Sequence, residues 1–241
     1  MLLLVGLGNP GPSHAENRHN IGFMAIDRVV SRQRLGSYRS RFQGLLAEGL
    51  IDGTKVLAFK PMTYMNESGR SVGEIARFYK LNPSNIVVIH DEIDLKTGQL
   101  RIKSGGGHAG HNGLRSIDQH IGSDYRRMRI GVGHPGDKAL VTSYLLGDFA
   151  KAERNWLERE LDAVAEAIPL LVTSDHASFL TKVATIVQPE QSEGLHKTKP
   201  PEPAEKITAS SKDSVTEKPS GIMSRALTRA LARLRGGSTG R

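Results

Sequence analysis

Histidine is the side chain best suited to move protons near neutral pH, and this chain carries nine of them but no cysteine. Thiolate nucleophiles, thiolate metal sites and disulfides are therefore excluded. His19 lies between a glycine-rich loop and an apolar-periodic segment, and Asn20 follows it. Asp91 ends a short apolar run, Ile86 to Ile89 followed by His90, where a strand-end carboxylate could hold an imidazole tautomer or simply cap a turn. His111 and Asn112 follow the run Gly105-Gly106-Gly107-His108-Ala109-Gly110, whose glycines point to close backbone approach or exposed amides. Asn9 and Asn66 supply two more side-chain amides, although Asn66 would equally suit a helix N-cap, as His19 would a cap or a surface position. No serine occupies a G-x-S-x-G elbow and no Gly-Lys-Ser/Thr closes a phosphate loop. His90, His108, His111 and Asp91 do not suggest a metal centre, because adjacent strand residues point to opposite faces. The simplest chemistry left is a His–Asp pair activating water, with Asn amides orienting it or steadying an oxyanion. Such a site suits an activated ester better than an amide.

Gly6-Leu7-Gly8-Asn9-Pro10-Gly11 satisfies the G-x-G-x-x-G pattern directly after a first strand, which would ordinarily suggest a dinucleotide. Pro10 and Pro12 remove amide donors where a pyrophosphate would need them, and Asp27 falls inside a helical pattern rather than at a strand end. A turn that places Asn9 near a site is the better reading.

The elements that must position these residues follow from periodicity. Leu2 to Val5 predicts a buried strand, and Asn20 to Arg34 a surface helix. Phe42 to Leu50 and Thr54 to Phe59 predict a hairpin turning at Asp52-Gly53. A helix starts near Asn66 with Val72, Ile75, Ala76 and Tyr79 on one face. Further strands are expected at Ile86 to Ile89, Gln99 to Lys103 and Arg129 to Val132, with a short helix from Asn112. Lys151 to Ile168 reads as an amphipathic helix with Trp156, Leu161, Val164 and Ile168 inward, and Ala177 to Val187 as the last core element. Interleaved strands and helices predict one α/β globular domain with a mixed, mostly parallel twisted sheet flanked by helices.

The 241 residues carry a formal net charge of +8. Residues 188 to 241 hold five Lys, five Arg and six acidic residues, so half the excess lies in less than a quarter of the chain. Residues 1–187 thus form the expected catalytic domain, and residues 188–220, rich in Pro, Ser, Lys and Glu, a disordered linker. In residues 221–241, Arg225, Arg229 and Arg233 recur every four positions opposite an apolar stripe, a short basic amphipathic segment. Basicity suits a polyanionic partner. No apolar stretch approaches the ~20 residues of a membrane span, and the opening Met1 to Val5 lacks the basic flank of a signal peptide. A cytoplasmic protein is expected.

The ordered stretches Gly6 to Gly11, Arg18-His19-Asn20-Ile21-Gly22-Phe23, Lys60-Pro61-Met62-Thr63-Tyr64-Met65-Asn66, His90-Asp91-Glu92, Gly105 to Leu114 and Arg129 to Gly136 together resemble the bacterial peptidyl-tRNA hydrolase family. That resemblance covers residues 1 to about 187. It implies a monomeric enzyme that needs no cofactor or metal and cleaves the ester between a peptide and the 3′-terminal ribose of tRNA. By resemblance His19 is the general base and Asp91 its orienting partner. Asn9, His14, Tyr64, Met65, Asn66, His111 and Asn112 contact the substrate, while Lys103 and Arg129 hold tRNA phosphate. The tail would add an RNA or ribosome contact. Two positions depart from the family pattern: His14 and Asn17 stand where Tyr and Thr are common, and Asn17 is expected still to cap the following turn. Two other classes fit parts of the sequence, a dinucleotide-dependent oxidoreductase and a non-catalytic RNA-binding module.

Overall fold

Leu2–Gly6 forms β1, buried along its whole length near the middle of a seven-stranded sheet in a computed structural model that describes residues 1–187. The other strands are β2 (Arg39–Arg41), β3 (Gly44–Ile51), β4 (Thr54–Pro61), β5 (Ile86–Glu92), β6 (Leu100–Ser104) and β7 (Arg126–Gly131), in the order β2-β3-β4-β1-β5-β7-β6. The four central strands β4, β1, β5 and β7 run parallel, while β3 and β6 pair antiparallel at the two sides. Leu2 and Leu4 enter one core and Leu3 and Val5 the other. A strand covered on both faces reads as an unbroken apolar run, which is why β1 shows no alternation.

Helices α1 (Ile21–Arg32), α5 (Arg154–Val172) and α6 (His176–Val187) cover one face, and α2 (Ser68–Phe78) and α3 (Asn112–Ile121) the other. A five-residue helix, α4 (Val141–Leu145), follows β7. The carboxyl ends of β1, β4 and β5 lie side by side, so Asn9, Tyr64 to Asn66 and Asp91 emerge along one edge of the sheet. Open α/β sheets place their ligands at that edge.

The glycine fingerprint serves packing. A Cβ at Gly6 would stand 2.2 Å from the carbonyl oxygen of Gly22, and one at Gly22 would stand 2.3 Å from that of Ile89. The end of β1, the first turn of α1 and β5 therefore touch through bare backbone.

The predicted hairpin forms as β3 and β4, with Asp52-Gly53 at its turn. Phe42 and Gln43 fall outside β3 because both take positive φ (53° each) in the turn from β2. The strand expected from Arg129 instead begins at Arg126, where adjacent arginines mask the apolar alternation. Both are buried, and Arg127 is held by the Gly107 carbonyl at 2.5 Å and Asp118 at 3.1 Å. The helix expected from Lys151 opens with a 3-10 turn and continues as α5 through Pro169 to Val172, four residues further than predicted. Leu161, Val164 and Ile168 are buried as expected, whereas Trp156 is only partly covered. Neither β2 nor α4 is long enough to leave a periodic signal. Among the described residues no helix is long and apolar enough to cross a membrane. The linker at 188–220 and the basic segment at 221–241 lie outside the described residues.

A buried carboxyl interrupts the apolar face of α5. Glu160 of α5 is 1% exposed, and neither carboxyl oxygen has a hydrogen-bond partner among the described residues. Burial pushes its pKa from 4.5 up to about 7. The folded state therefore loses stability as pH rises through that interval, since only the unfolded chain ionises the group freely. Glu160→Met removes the titration, so its stability advantage over the wild type should grow by on the order of 2 kcal/mol between about pH 5 and about pH 8. Urea midpoints at the two pH values measure this. An advantage that does not change with pH contradicts the assignment.

Candidate active site

The side chain of Asp91, 3% exposed at the end of β5, lies between two imidazoles. His19 Nδ1 is 2.9 and 3.0 Å from the two carboxylate oxygens, and His111 Nε2 is 3.2 Å from the first of them. The rings of His19 and His111 lie 4.9 Å apart. His19 arrives on a 3-10 turn, Arg18–Asn20, that runs straight into α1. The bare backbone at Gly22 lets that turn settle against β5, close enough for the imidazole to meet Asp91.

The tautomers follow from the partners. An ionised carboxylate only accepts, so His19 donates from Nδ1 and leaves the Nε2 lone pair free. His111 is the N-cap of α3: its Nδ1 accepts from the Gly113 and Leu114 amides at 3.1 and 3.4 Å, so its proton sits on Nε2 and points to Asp91. Burial lowers the proton affinity of His19, but the charge of Asp91 and their hydrogen bond outweigh it and leave its pKa above 6.5. Burial alone would raise Asp91. The charges and hydrogen bonds of His19 and His111 hold it well below the usual carboxylate range instead. His90 lies behind the pair, its pKa pushed down to about 3, chiefly by burial. It donates from Nδ1 to the Asp91 carbonyl at 2.7 Å, and its ring meets His111 edge-on at 5.0 Å. The ligand atoms of His19, Asp91 and His111 lie within 4.8 Å of one another, near enough for a metal ion. In this arrangement both imidazole nitrogens are instead turned onto the carboxylate as hydrogen-bond donors.

Asn9 is fixed on three sides. Its amide donates to Asn20 Oδ1 and its carbonyl accepts from Asn20 Nδ2, both at 2.9 Å, while its Oδ1 accepts the Met65 amide at 2.9 Å. Only Asn9 Nδ2 remains to donate elsewhere. Asn20 is 2% exposed, and sequence reasoning gave it no task of its own although it stands in the Arg-His-Asn run. Met65 is buried and Tyr64 is 66% exposed. Asn66 lies in the short turn before α2 and Asn112 at the first position of α3, both exposed.

These groups border one cleft of about 930 Å³, lined by Asn9, His19, Tyr64, Met65, Asn66, Asp91, His111 and Asn112. A further part of the lining was not anticipated: Val141, Thr142, Leu145 and Leu146, from α4 and its C-cap, together with Lys138. His14 does not line this cleft. Its Nδ1 is 2.9 Å from Asn17 Oδ1, and the Asn17 amide donates to Asp148 at 2.8 Å. Asn17 makes no side-chain cap bond, contrary to expectation, because both ends of its amide are engaged elsewhere. Lys103 is exposed on β6. Arg129, on the adjacent strand β7, donates from Nε to Glu92 at 2.8 Å.

Comparison with known proteins identifies the family of the chain. The family model described as peptidyl-tRNA hydrolase matches residues 3–192. A peptidyl-tRNA hydrolase of Parvibaculum lavamentivorans is 58% identical over 191 residues, covering 79% of this chain and 93% of that protein. One from Rhodospirillum centenum is 53% identical over 189 residues, covering 78% and 83%. A crystal structure of peptidyl-tRNA hydrolase from Acinetobacter baumannii superposes with a TM-score of 0.71 at 39% identity, covering 76% of this chain and 94% of that one. The match takes in every residue of the His–Asp–His cluster and the cleft around it, and the chain belongs to the peptidyl-tRNA hydrolase family, enzymes that hydrolyse the ester joining a peptide to tRNA.

Proposed function

We propose that this chain releases peptides from tRNA by water attack directed from His19, and the observation that carries the mechanism is the pair of Asp91 contacts that leaves His19 Nε2 free. A water in the cleft gives a proton to Nε2 as its oxygen attacks the ester carbonyl carbon. Asp91 stabilises the imidazolium that results. The tetrahedral intermediate expels the ribose 3′ oxygen, which takes the proton back from His19. Asn9 Nδ2 and the amides of Asn66 and Asn112 stand at the cleft as donors for the water, the oxyanion or the peptide backbone. His111 acts from behind by holding the second lone pair of Asp91, and Met65 and Tyr64 shape the wall.

Lys103 and Arg129 supply phosphate contacts that read no bases, which suits a substrate class defined by its ester and its backbone. Both side chains project from the face of the β6–β7 pair that also carries Arg101, paired directly across from Arg129. The catalytic unit acts as a monomer in the cytoplasm, where its tRNA substrate is, and the basic segment at 221–241 adds a contact to RNA or the ribosome.

His19→Ala should slow single-turnover peptide release by about 10³-fold while tRNA affinity stays within a few fold. Wild-type release by that variant excludes His19 as the base. The base acts in its neutral form, so kcat/KM should rise with pH about a midpoint above 6.5. Asp91→Asn removes the charge that opposes burial. Its residual activity should therefore show that midpoint moved below 6.5, and an unmoved midpoint contradicts the pairing. Lys103→Ala should weaken tRNA binding and reduce the slope of log affinity against log salt by about one, with the rate at saturation preserved. Equal slopes in variant and wild type would show that Lys103 touches no phosphate.

A further inference from the structure

Arg18 is adjacent in sequence to the proposed base, yet its side chain bonds not to Asp91 but to the end of α4 and the segment after it. The side chain is 11% exposed, and both terminal nitrogens of the guanidinium are engaged on that side, while Nε has no partner among the described residues. Nη1 donates to the Asp148 carbonyl at 2.8 Å and reaches those of Gly147 and Tyr144 at 3.3 and 3.5 Å, while Nη2 pairs with Glu153 at 2.5 Å. The plane lies over the Tyr144 ring at 4.3 Å and the Phe149 ring at 5.3 Å. The Arg18 amide adds a bond to the Gly147 carbonyl at 3.1 Å, and Asn17 and Asp148 form an antiparallel bridge beside it.

Tyr144 and Gly147 belong to the carboxyl end of α4 and the turn after it. The Tyr144 carbonyl already accepts the Gly147 amide at 3.2 Å. Arg18 adds a second donor there, reaches the Gly147 carbonyl and meets the negative end of the helix dipole. A five-residue helix is too short to stand alone. Besides Arg18, α4 is held by the Tyr144 hydroxyl on the Val132 carbonyl at 2.5 Å, by the Asn17–Asp148 contact and by Tyr144 and Leu145, which pack against the core. Val141, Thr142, Leu145 and Leu146 are the residues it presents to the cleft. Leu146, 43% exposed, offers apolar surface there and no proton donor or acceptor side chain.

We propose that Arg18 is a positioning residue that holds α4 at a set distance from the turn bearing His19, and that the apolar wall so placed grips the peptide side of the substrate. The inference rests on the reading of the cleft as a peptidyl-ester site. Arg18 acts on binding of the acylated end, because its polar contacts run to the carboxyl end of α4 and the segment after it, which carry the wall, and none runs to Asp91 or to the His19 ring.

The test uses the full chain and a peptidyl-tRNA with an apolar peptide. Arg18→Gln should raise KM about tenfold with kcat and its pH midpoint within about twofold, and should leave affinity for deacylated tRNA unchanged. Arg18→Lys, which keeps the charge toward Glu153 but loses the fork and the stack, should fall between. The chain has one tryptophan, Trp156, whose ring meets Phe149 edge-on at 5.6 Å. Acrylamide quenching of Trp156 should rise in step with KM. If Arg18→Gln fails to fold, Glu153→Gln removes the ion pair from outside and should raise KM about threefold. An unchanged KM, a kcat loss with a shifted pH midpoint, or equal weakening toward deacylated tRNA overturns the role of Arg18. Failure of the wild type to release peptide overturns the underlying reading as well.

Discussion

A carboxylate buried at the end of a strand is the constraint around which this molecule is arranged. Asp91 is 3% exposed, and an isolated charge so placed would be costly enough to take up a proton. It stays ionised because two imidazole N–H groups from distant parts of the chain converge on it. One comes from the turn before α1 and the other from the N-cap of α3, so both faces of the sheet contribute to one hydrogen-bonded cluster. The close backbone approach at Gly6 and Gly22 is what lets the turn before α1 come near enough to β5 for these groups to meet. The same contacts that keep Asp91 charged fix the tautomer of each histidine, and stability and chemistry are thereby linked.

The two histidines look alike in sequence and do different work. His111 has both nitrogens occupied by protein, one accepting backbone amides and one donating to Asp91. His19 has one nitrogen occupied and one lone pair available. Only the second can take a proton from water without breaking structure. His90, third in the cluster, is kept neutral by burial and serves as packing for His111.

Much of this was legible in the residues. The buried central strand, the hairpin, the helices from Ile21, Ser68 and Asn112 and the strand ending at Asp91 carry their periods openly. The pairing of His19 with Asp91 follows from residue type and from resemblance, and the two lie 2.9 Å apart in the fold. The acceptance of two backbone amides by the His111 ring was not legible, because an N-cap imidazole has no distinct spacing. Nor was the α4 wall, whose five residues are too few to show a period and whose position depends on contacts 126 to 135 residues away in sequence. Arg126 and Arg127 misled for a physical reason: charged side chains that fill core positions look like solvent-facing ones until their partners are known. His14 joined the site by resemblance alone, and its ring is turned to Asn17 instead of the cleft.

The central claim is about where protons sit, and nitrogen-detected NMR of the histidine rings reads this directly. With 15N-labelled histidine and the nine rings assigned by single substitutions, His19 should appear as the Nδ1–H tautomer at high pH and titrate with a midpoint above 6.5. Neutral His111 should appear as the Nε2–H tautomer, with its Nδ1 shifted by the amide bonds it accepts. His19 found as the Nε2–H tautomer would leave no lone pair facing the cleft, and a midpoint below 6.5 would show that the charge of Asp91 does not outweigh burial; either result contradicts the account.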